Sequence, residues 1–382
     1  MHTGNTWVEI DLDQIEKNFR AIQKKAAPAR VNCVIKANAY GHGSVQVGKH
    51  LEPLTDYFSV ANFTELKELR RHSIRKPILC LGYVDPEDYA AFPEYAPEIT
   101  VYHERQAEKL SEAMTGLSHV CPIHIKVDTG MSRLGFRPGK ESIAAIRRIA
   151  ALPGVRIAGI FTHFACADSP DLSFTDEQYR RYTEFVTALH AQGVDTGIRH
   201  VANSAGILAG GFKEDMVRAG IILYGVDPNG EQETDVPVET AMRFCAKVAS
   251  IRTIEEGDGV SYGQTFHADK PTKIATVTAG YADGYFRTFS SHAEMVIHGK
   301  PARVLGRVCM DQTMVDITGR DDVRIGDTVV LYDKAYEQTS LYRMEKLADT
   351  IAYELFCAVN RRVTRVYLKN DEVVETVNYL LD

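Results

Sequence analysis

A lysine at the end of an apolar run is followed at once by a loop that carries a tyrosine and a histidine. The segment VIKANAYGHG contains Lys36, Tyr40 and His42. A lysine held there can form a Schiff base with a carbonyl compound, and a tyrosine hydroxyl beside it can bind an anion. An isolated lysine in this position would be interpreted as a surface residue, so the hypothesis depends on the loop that follows.

Two later segments have the composition of a phosphate-binding site: NSAG, residues 203–206, and RAGIILYG, residues 218–225. Ser204 offers a hydroxyl, and Gly220 lets the backbone NH groups of Gly220 and Ile221 approach an anion. Each feature alone is weak, because glycines after strands mostly form turns. Their position relative to the lysine loop makes the combination more specific.

Two arginines and a second lysine would bring charge to the same place. Arg218 precedes the glycine turn by two residues, where it would face a cofactor ring. Arg133, in KVDTGMSRLGFRP, is a candidate carboxylate clamp because a guanidinium binds a carboxylate with two hydrogen bonds; the alternative is a surface arginine. Lys126 lies in an apolar segment, so an inward side chain would need a partner that the sequence does not supply.

The second half of the chain carries three motifs with loop character: SYGQTF (261–266), AGYADGY (279–285) and GRVCMDQTMVD (306–316). Tyr262 and Tyr281 are each followed by glycine or another small residue, as tyrosines in loops often are. Their alternative interpretation is that of ordinary loop aromatics.

The elements that must position these residues are short apolar segments that alternate with helical periodicity. Eight strands are predicted: Val31–Lys36, Tyr57–Ala61, Pro77–Gly82, Ile99–His103, Ile123–Asp128, Ile157–His163, Arg199–Asn203 and Val217–Ile222. Between them apolar residues recur every three or four positions, as at Ile143, Ile146 and Ile149. This alternation predicts a (β/α)8 barrel, with an open doubly wound sheet as the alternative.

Residues with reactive side chains end nearly every predicted strand: Lys36, Asn62, His103, Asp128, His163, Asn203 and Arg218. Active sites of barrels are built from these carboxyl ends, so the distribution favours the barrel over the open sheet.

The pattern changes after Tyr224. The acidic, turn-rich segment 227–239 predicts a boundary, with a barrel over residues 1–236 and a mainly β domain over residues 237–382. Its predicted strands are Ala246–Ile254, Lys273–Thr278, Ala302–Val308, Thr328–Tyr332 and Arg362–Leu368, with one helix over Met344–Val359.

The totals agree with a two-domain globular protein of 382 residues, with 45% hydrophobic and 25% charged residues. A net charge of -7 argues against a nucleic-acid partner and favours a small-molecule one. The sequence has no apolar run long enough to cross a membrane, and we expect no signal peptide. Seven cysteines without a CxxC pair indicate reduced thiols in a cytoplasmic protein, and ligand spacing for a metal is absent.

The motifs together resemble those of the alanine racemases, pyridoxal-phosphate enzymes of fold type III. The resemblance runs from WVEIDLDQIEKN to RRVTRVYLKN, and the motifs follow the family's order: VIKANAYGHG, SRLGF, THFA, NSAG, MVRAGIILYG, SYGQTF, GYADGY and GRVCMDQTMVD. It implies pyridoxal 5'-phosphate as cofactor, interconversion of L-alanine and D-alanine for peptidoglycan, and a homodimer with shared active sites.

The resemblance also implies roles for individual residues. Lys36 corresponds to the lysine that carries the cofactor and acts as one base, and Tyr262 corresponds to the second base, reaching into the partner's site. The positions that match phosphate-binding residues are Tyr40, Ser204, Gly220, Ile221 and Tyr353. The positions that match residues around the ring, the substrate and the entrance are Arg218, His163, Arg133, Met310, Tyr281 and Tyr353. Lys126 matches a lysine that is often carbamylated, and the carbamate would hold Arg133.

Two bases on opposite faces suit a racemase, because a single base would return the proton to the face that lost it. Arg218 cannot give the ring nitrogen a full proton, which limits side reactions. It also argues against the decarboxylases of the same fold type, where an acidic residue is expected. A non-catalytic carrier would lack the second domain. A serine-preferring or broader racemase stays open, because Cys166 replaces the threonine of many relatives, although Tyr353 favours a narrow alanine pocket.

Overall fold

The computed structural model describes residues 4–230 and 235–381. Its strands are β1 (Thr6–Asp11), β2 (Arg30–Val34), β3 (Tyr57–Val60), β4 (Ile78–Cys80), β5 (Glu98–Val101), β6 (Cys121–Lys126), β7 (Val155–Phe161), β8 (Ile198–His200), β9 (Met216–Ala219), β10 (Met242–Ile254), β11 (Gly259–Val260), β12 (Phe266–His267), β13 (Thr272–Val277), β14 (Glu294–Ile297), β15 (Lys300–Arg303), β16 (Thr313–Asp316), β17 (Thr328–Tyr332), β18 (Thr364–Lys369) and β19 (Glu372–Val377).

The helices alternate with strands in the first half of the chain and are sparse in the second. They are α1 (Leu12–Ala26), α2 (Lys36–Tyr40), α3 (Ser44–Leu51), α4 (Phe63–Arg71), α5 (Phe92–Tyr95), α6 (Glu104–Gly116), α7 (Lys140–Ala150), α8 (Ser173–Ala191), α9 (Ser204–Ala209), α10 (Leu341–Ala348) and α11 (Ala352–Cys357). Short 3₁₀ turns lie at Pro86–Ala91, Ile221–Tyr224, Tyr262–Gln264, Arg287–Phe289 and Glu337–Thr339.

Eight parallel strands form the predicted barrel. Their order is β8-β7-β6-β5-β4-β3-β2-β9, and every neighbouring pair is parallel. The last gap is bridged by the NH of Arg218 on β9, which donates to the carbonyl of Ala202 just after β8 at 3.0 Å. The barrel is therefore nearly closed, and each of the eight predicted strands overlaps one of its strands. The open doubly wound sheet is excluded.

The second domain is mainly β, as predicted. Its sheet has the order β15-β14-β17-β10-β1-β18-β19, with β13 pairing β10 and β16. Strand β1, from the start of the chain, lies in this sheet, antiparallel to β10 and parallel to β18. Thr6–Asp11 thus belongs to the second sheet although it precedes the barrel strands in the sequence. The boundary between residues 236 and 237 stays a prediction, and residues 231–234 of the acidic segment lie outside the described residues.

Two predicted elements of the second domain are wrong in their extent. The helix expected over Met344–Val359 is two helices, α10 and α11, separated at Asp349, whose φ of 52° is left-handed. Asp tolerates this conformation better than most residues, and the apolar periodicity runs across so short a break. The strand expected over Ala302–Val308 ends at Arg303 and is followed only by an isolated bridge.

Helix α1 joins the two domains. Asp11 caps its first turn by accepting the NH of Gln14 at 2.8 Å. The buried Asn18 on this helix donates to the carbonyls of Leu223 (3.1 Å) and Glu239 (2.9 Å), which fastens the turn after β9 to the segment that enters the second domain. None of the helices in the described residues is long and apolar enough to cross a membrane. All seven cysteines are free thiols.

Candidate active site

The chain makes a left-handed turn directly after Lys36. Residues 37–40 all have φ between 51° and 54°, a conformation that costs about 1–2 kcal/mol per residue outside glycine. The carboxylate of Glu65 holds the turn, because its two oxygens accept the NH groups of Ala37 and Ala61, each at 2.7 Å. These two hydrogen bonds therefore hold the backbone next to Lys36 in its left-handed conformation.

Residues of the second domain also form hydrogen bonds with this turn. Asn38 accepts the NH of Ser44 at 2.9 Å and donates to the hydroxyl of Tyr379, near the end of the chain, at 3.1 Å. The guanidinium of Arg365 lies 5.2 Å from the centre of the Tyr379 ring and donates to the carbonyl of Gly41 at 3.3 Å. The lysine turn thus belongs to the contact between the two domains.

Four of the residues predicted to bind phosphate converge beside this turn. The hydroxyl of Ser204 accepts the NH of Gly220 at 3.1 Å. A Cβ on Gly220 would lie 2.9 Å from the hydroxyl of Tyr40, and the rings of Tyr40 and Tyr353 are 6.0 Å apart. Ile221, the fifth, begins the 3₁₀ turn that follows. Burial raises the pKa of Tyr40, so its phenol stays neutral and can donate to an anion.

If this turn binds the phosphate of pyridoxal phosphate, as the resemblance of the motifs implies, Gly220→Ala is expected to weaken that binding by at least about tenfold, roughly 1.4 kcal/mol. The added methyl group would fill the space between the Tyr40 and Ser204 hydroxyls, where the structure leaves room only for a hydrogen atom. Equilibrium dialysis of the cofactor measures the effect. Gly116→Ala is the control, since a Cβ there meets nothing within 4 Å. Equal affinity in the two variants would show that the phosphate lies elsewhere.

Five basic side chains form one cluster at the carboxyl end of the barrel: Lys36, Lys126, Arg133, His163 and Arg218. Burial lowers the pKa of Lys36, and the charges of Arg133 and Arg218 lower it further. Burial and the charge of Arg218, followed by that of Arg133, also hold the pKa of His163 well below its usual range. The site therefore favours a neutral amine at Lys36 and attracts anionic groups.

Lys126 is buried in this cluster without an acidic partner in ion-pair contact among the described residues. Its ammonium nitrogen donates to the carbonyl of Val127 at 2.7 Å and lies 5.5 Å from the centre of the Phe161 ring. Burial, with the charge of Arg218 next, lowers the pKa of Lys126 to about 7. A neutral amine is therefore accessible at Lys126 near neutral pH.

Arg218 is a buried cation held by oxygen and nitrogen acceptors. Its guanidinium donates to the carbonyls of Thr162 (2.8 Å) and Val201 (3.0 Å), and to Nδ1 of His163 at 3.3 Å. Burial lowers the pKa of Arg218 to about 10, so the group stays charged at neutral pH. The structure thus places Arg218 next to His163 and within the electrostatic reach of Lys36.

Tyr262, Met310 and Tyr281 lie together in a second group. Tyr262 is 70% exposed and Met310 is 52% exposed, and both line a hollow of about 570 Å³ built from second-domain residues. Tyr281 joins them because its NH donates to the carbonyl of Cys309 at 3.0 Å. Two exposed, nonpolar or aromatic side chains around an open hollow suit a surface that another molecule covers.

Family models match both halves of the chain. The alanine racemase N-terminal domain matches residues 10–228, and the alanine racemase C-terminal domain matches residues 241–367. The chain belongs to the alanine racemase family. An alanine racemase of Clostridium perfringens is 39% identical over 383 residues, which cover 98% of each chain.

Solved structures of alanine racemases share the whole architecture. The enzyme of Clostridium difficile 630 superposes with a TM-score of 0.94 at 38% identity, covering 100% of both chains. That of Bacillus anthracis with bound L-Ala-P gives a TM-score of 0.93 at 35% identity, covering 99% of this chain and 98% of the other. The family and the fold expected from the motifs are confirmed.

Several polar residues at strand ends are helix caps and do not join the basic cluster. Asn62 accepts the NH of Glu65 at 3.0 Å, His103 accepts that of Arg105 at 3.1 Å, and Asn203 accepts that of Gly206 at 3.0 Å. Each opens the helix after its strand. Position at a strand end alone therefore does not separate a catalytic side chain from a capping one.

Proposed function

We propose that this protein interconverts L-alanine and D-alanine with pyridoxal phosphate, using Lys36 and Tyr262 as bases on opposite faces of the α-carbon. The proposal rests on one observation: Lys36, whose pKa is lowered first by burial and then by the charges of Arg133 and Arg218, lies at the same barrel end as the cradle of Tyr40, Ser204 and Gly220. The D-alanine would serve peptidoglycan, as the family resemblance implies.

The residues at the site fit the cofactor. Ser204, Gly220 and Tyr40 would hold the phosphate, and Tyr353 packs beside them. Arg218 would meet the ring nitrogen as a hydrogen-bond donor, with His163 alongside. When bound, pyridoxal phosphate supplies an electron sink for the charge left on the α-carbon after proton removal.

The side chains of this protein would supply binding and proton transfer. Arg133 would bind the substrate carboxylate, and its exposure in a single chain leaves it free to do so. The lowered pKa of Lys36 lets its amine accept the α-proton from one face. The Tyr262 hydroxyl would return a proton to the opposite face, and Tyr281 with Tyr353 would narrow the entrance.

A homodimer would bring the two groups of residues together. Tyr262 and Met310 are exposed around a hollow that contains only second-domain residues, whereas Lys36 belongs to the barrel. A two-fold dimer pairs the same surfaces twice and so would make two equivalent composite sites. We infer that each Tyr262 acts on the partner's lysine.

The assay that tests this function follows interconversion of the enantiomers of alanine and of serine, with release of carbon dioxide as a third readout. The Bacillus anthracis relative holds L-Ala-P, which supports alanine as the substrate. We expect alanine to racemise faster than serine, without decarboxylation. Faster turnover of serine or steady release of carbon dioxide would contradict the proposal.

We also propose that Lys126 carries a carbamate. Carbon dioxide reacts with a neutral amine, which the pKa of about 7 provides, and the product anion would offset the charges of Arg133 and Arg218. A ¹³C-NMR carbamate resonance is expected after incubation with labelled bicarbonate, and it should weaken below pH 7 as the amine becomes protonated. Lys126→Ala should lack it, whereas Lys49→Ala should keep it. A resonance that persists in Lys126→Ala would assign the carbamate to another lysine.

A further inference from the structure

A row of four polar side chains in hydrogen-bond contact crosses the barrel interior, from the amino-terminal ends of the strands to Arg218. A carboxylate oxygen of Glu98, at the start of β5, lies 2.8 Å from Nε2 of His124. Nδ1 of His124 lies 2.9 Å from Nε2 of His200, and Nδ1 of His200 lies 3.0 Å from a terminal nitrogen of Arg218. Three consecutive contacts of hydrogen-bond length thus connect a carboxylate to the arginine proposed to face the cofactor.

The two ends of this row determine where every proton lies. A guanidinium can only donate, so Nδ1 of His200 must accept and its Nε2 carries the proton. That proton is donated to Nδ1 of His124, which leaves Nε2 of His124 protonated and donating to Glu98. Only one arrangement of neutral tautomers satisfies all three contacts, and it runs in one direction from Arg218 to Glu98.

The interior is built around the two histidines. Both are fully buried, and the His200 ring stacks on Phe161 with a centroid distance of 4.7 Å and an interplanar angle of 8°. A Cβ on Gly159 would lie 2.4 Å from Nδ1 of His124, so only glycine leaves room for that ring. Burial, followed by the charge of Arg218, holds the pKa of His200 well below its usual range, which agrees with a neutral ring.

The outer end of the row meets a second cavity. Glu98 lines a hollow of about 570 Å³ at the foot of the barrel, together with Tyr57, Arg156 and Glu214. This hollow lies at the amino-terminal ends of the strands, whereas Lys36 and Arg218 belong to the opposite end. The Glu98 carboxylate is therefore the one member of the row that borders this hollow.

We propose that Glu98, His124 and His200 are positioning residues that fix the orientation of Arg218 toward the cofactor ring. The role of Arg218 toward the cofactor rests on the proposed function, but the direction of the hydrogen bonds from Arg218 to Glu98 does not. Without the Glu98 carboxylate, His124 would be free to carry its proton on Nδ1 instead of Nε2. The Nδ1–H of His124 would then donate to Nε2 of His200, so His200 would carry its own proton on Nδ1. That N–H group would face an N–H group of Arg218, and no hydrogen bond could form between them.

The test uses ¹⁵N-histidine NMR of the full-length protein, because the histidine tautomers are read independently of racemase activity. His124→Phe and His200→Phe assign the resonances. We expect both rings to be neutral and protonated at Nε2 in the parent, and Glu98→Leu to show a new Nδ1-protonated form. Glu98→Gln, which keeps an acceptor oxygen, should retain the parent tautomers if Glu98→Leu fails to fold. A parent ring protonated at Nδ1, or unchanged tautomers in a folded Glu98→Leu, would overturn the proposal.

The cofactor-loaded protein supplies a second readout. In Glu98→Leu, the pH at which the absorbance of the bound cofactor changes should shift, and kcat for alanine should fall by about twofold to thirtyfold with a smaller change in KM. Glu214→Gln is the matched control: it lines the same hollow but pairs with Tyr179 and Arg199. Equal effects of the two substitutions would assign Glu98 a merely structural role. If the unsubstituted protein has no racemase activity, the proposed function is refuted. The NMR result would still decide the direction of the hydrogen bonds between Arg218 and Glu98.

Discussion

Lys36→Ala is expected to lower the rate of alanine racemisation in both directions by at least about a hundredfold. A general base usually contributes about a hundredfold to ten-thousandfold. The amine is the group that the structure makes less basic through burial and the charges of Arg133 and Arg218. Losing it would also remove the proposed attachment point for the cofactor aldehyde. Time courses started from each enantiomer measure the loss.

The same experiment requires a control for the attachment point. Borohydride reduces a lysine–aldehyde C=N bond, so treatment of the parent should fix the cofactor to one peptide, which mass spectrometry should identify as the one containing Lys36. Lys49→Ala, a change to an exposed lysine on α3, should leave activity and labelling unchanged. A label on any other lysine would overturn the assignment.

Tyr262→Phe should abolish inversion but leave half of the proton chemistry intact. We expect racemisation to fall by about a hundredfold or more, because one of the two faces loses its proton donor. Lys36 would still remove and return the α-proton on its own face. One enantiomer of alanine should therefore exchange its α-proton with deuterated solvent without changing configuration.

NMR in deuterium oxide separates this outcome from general damage to the site. Tyr83→Phe is a suitable control, because Tyr83 is an exposed tyrosine in the loop after β4. If Tyr262→Phe racemises as fast as the control, Tyr262 is not a base. If it exchanges neither enantiomer, the substitution has damaged the Lys36 side as well, which contradicts a separate role for each residue.

The barrel was predictable because its strands are short apolar segments with helical periodicity between them. Local patterns do not show which strand joins which sheet, so they do not predict the position of β1 beside β10 and β18. The two-helix segment around Asp349 was missed for a related reason, since a single left-handed residue leaves the apolar spacing unchanged.

Motifs indicated the candidate site residues, but most of their supports are far away in the sequence. Glu65 and Tyr379 hold the lysine turn from 28 and 341 residues away from the groups they contact. Glu98 and His124 look like ordinary members of two apolar strands, and only the barrel brings them into line with Arg218. A histidine that follows an apolar residue in a strand is a weak indication without knowledge of its neighbours.

Subunit exchange between Lys36→Ala and Tyr262→Ala measures most directly whether two chains share each active site. Each variant alone should be nearly inactive. In an equal mixture with verified exchange, half of the dimers are hybrids, and each hybrid has one site with both lesions and one with neither. About a quarter of the parent's activity should therefore return, one half multiplied by one half. Verified exchange without recovery of activity, or a fully active monomer at high dilution, would contradict an active site shared between two chains.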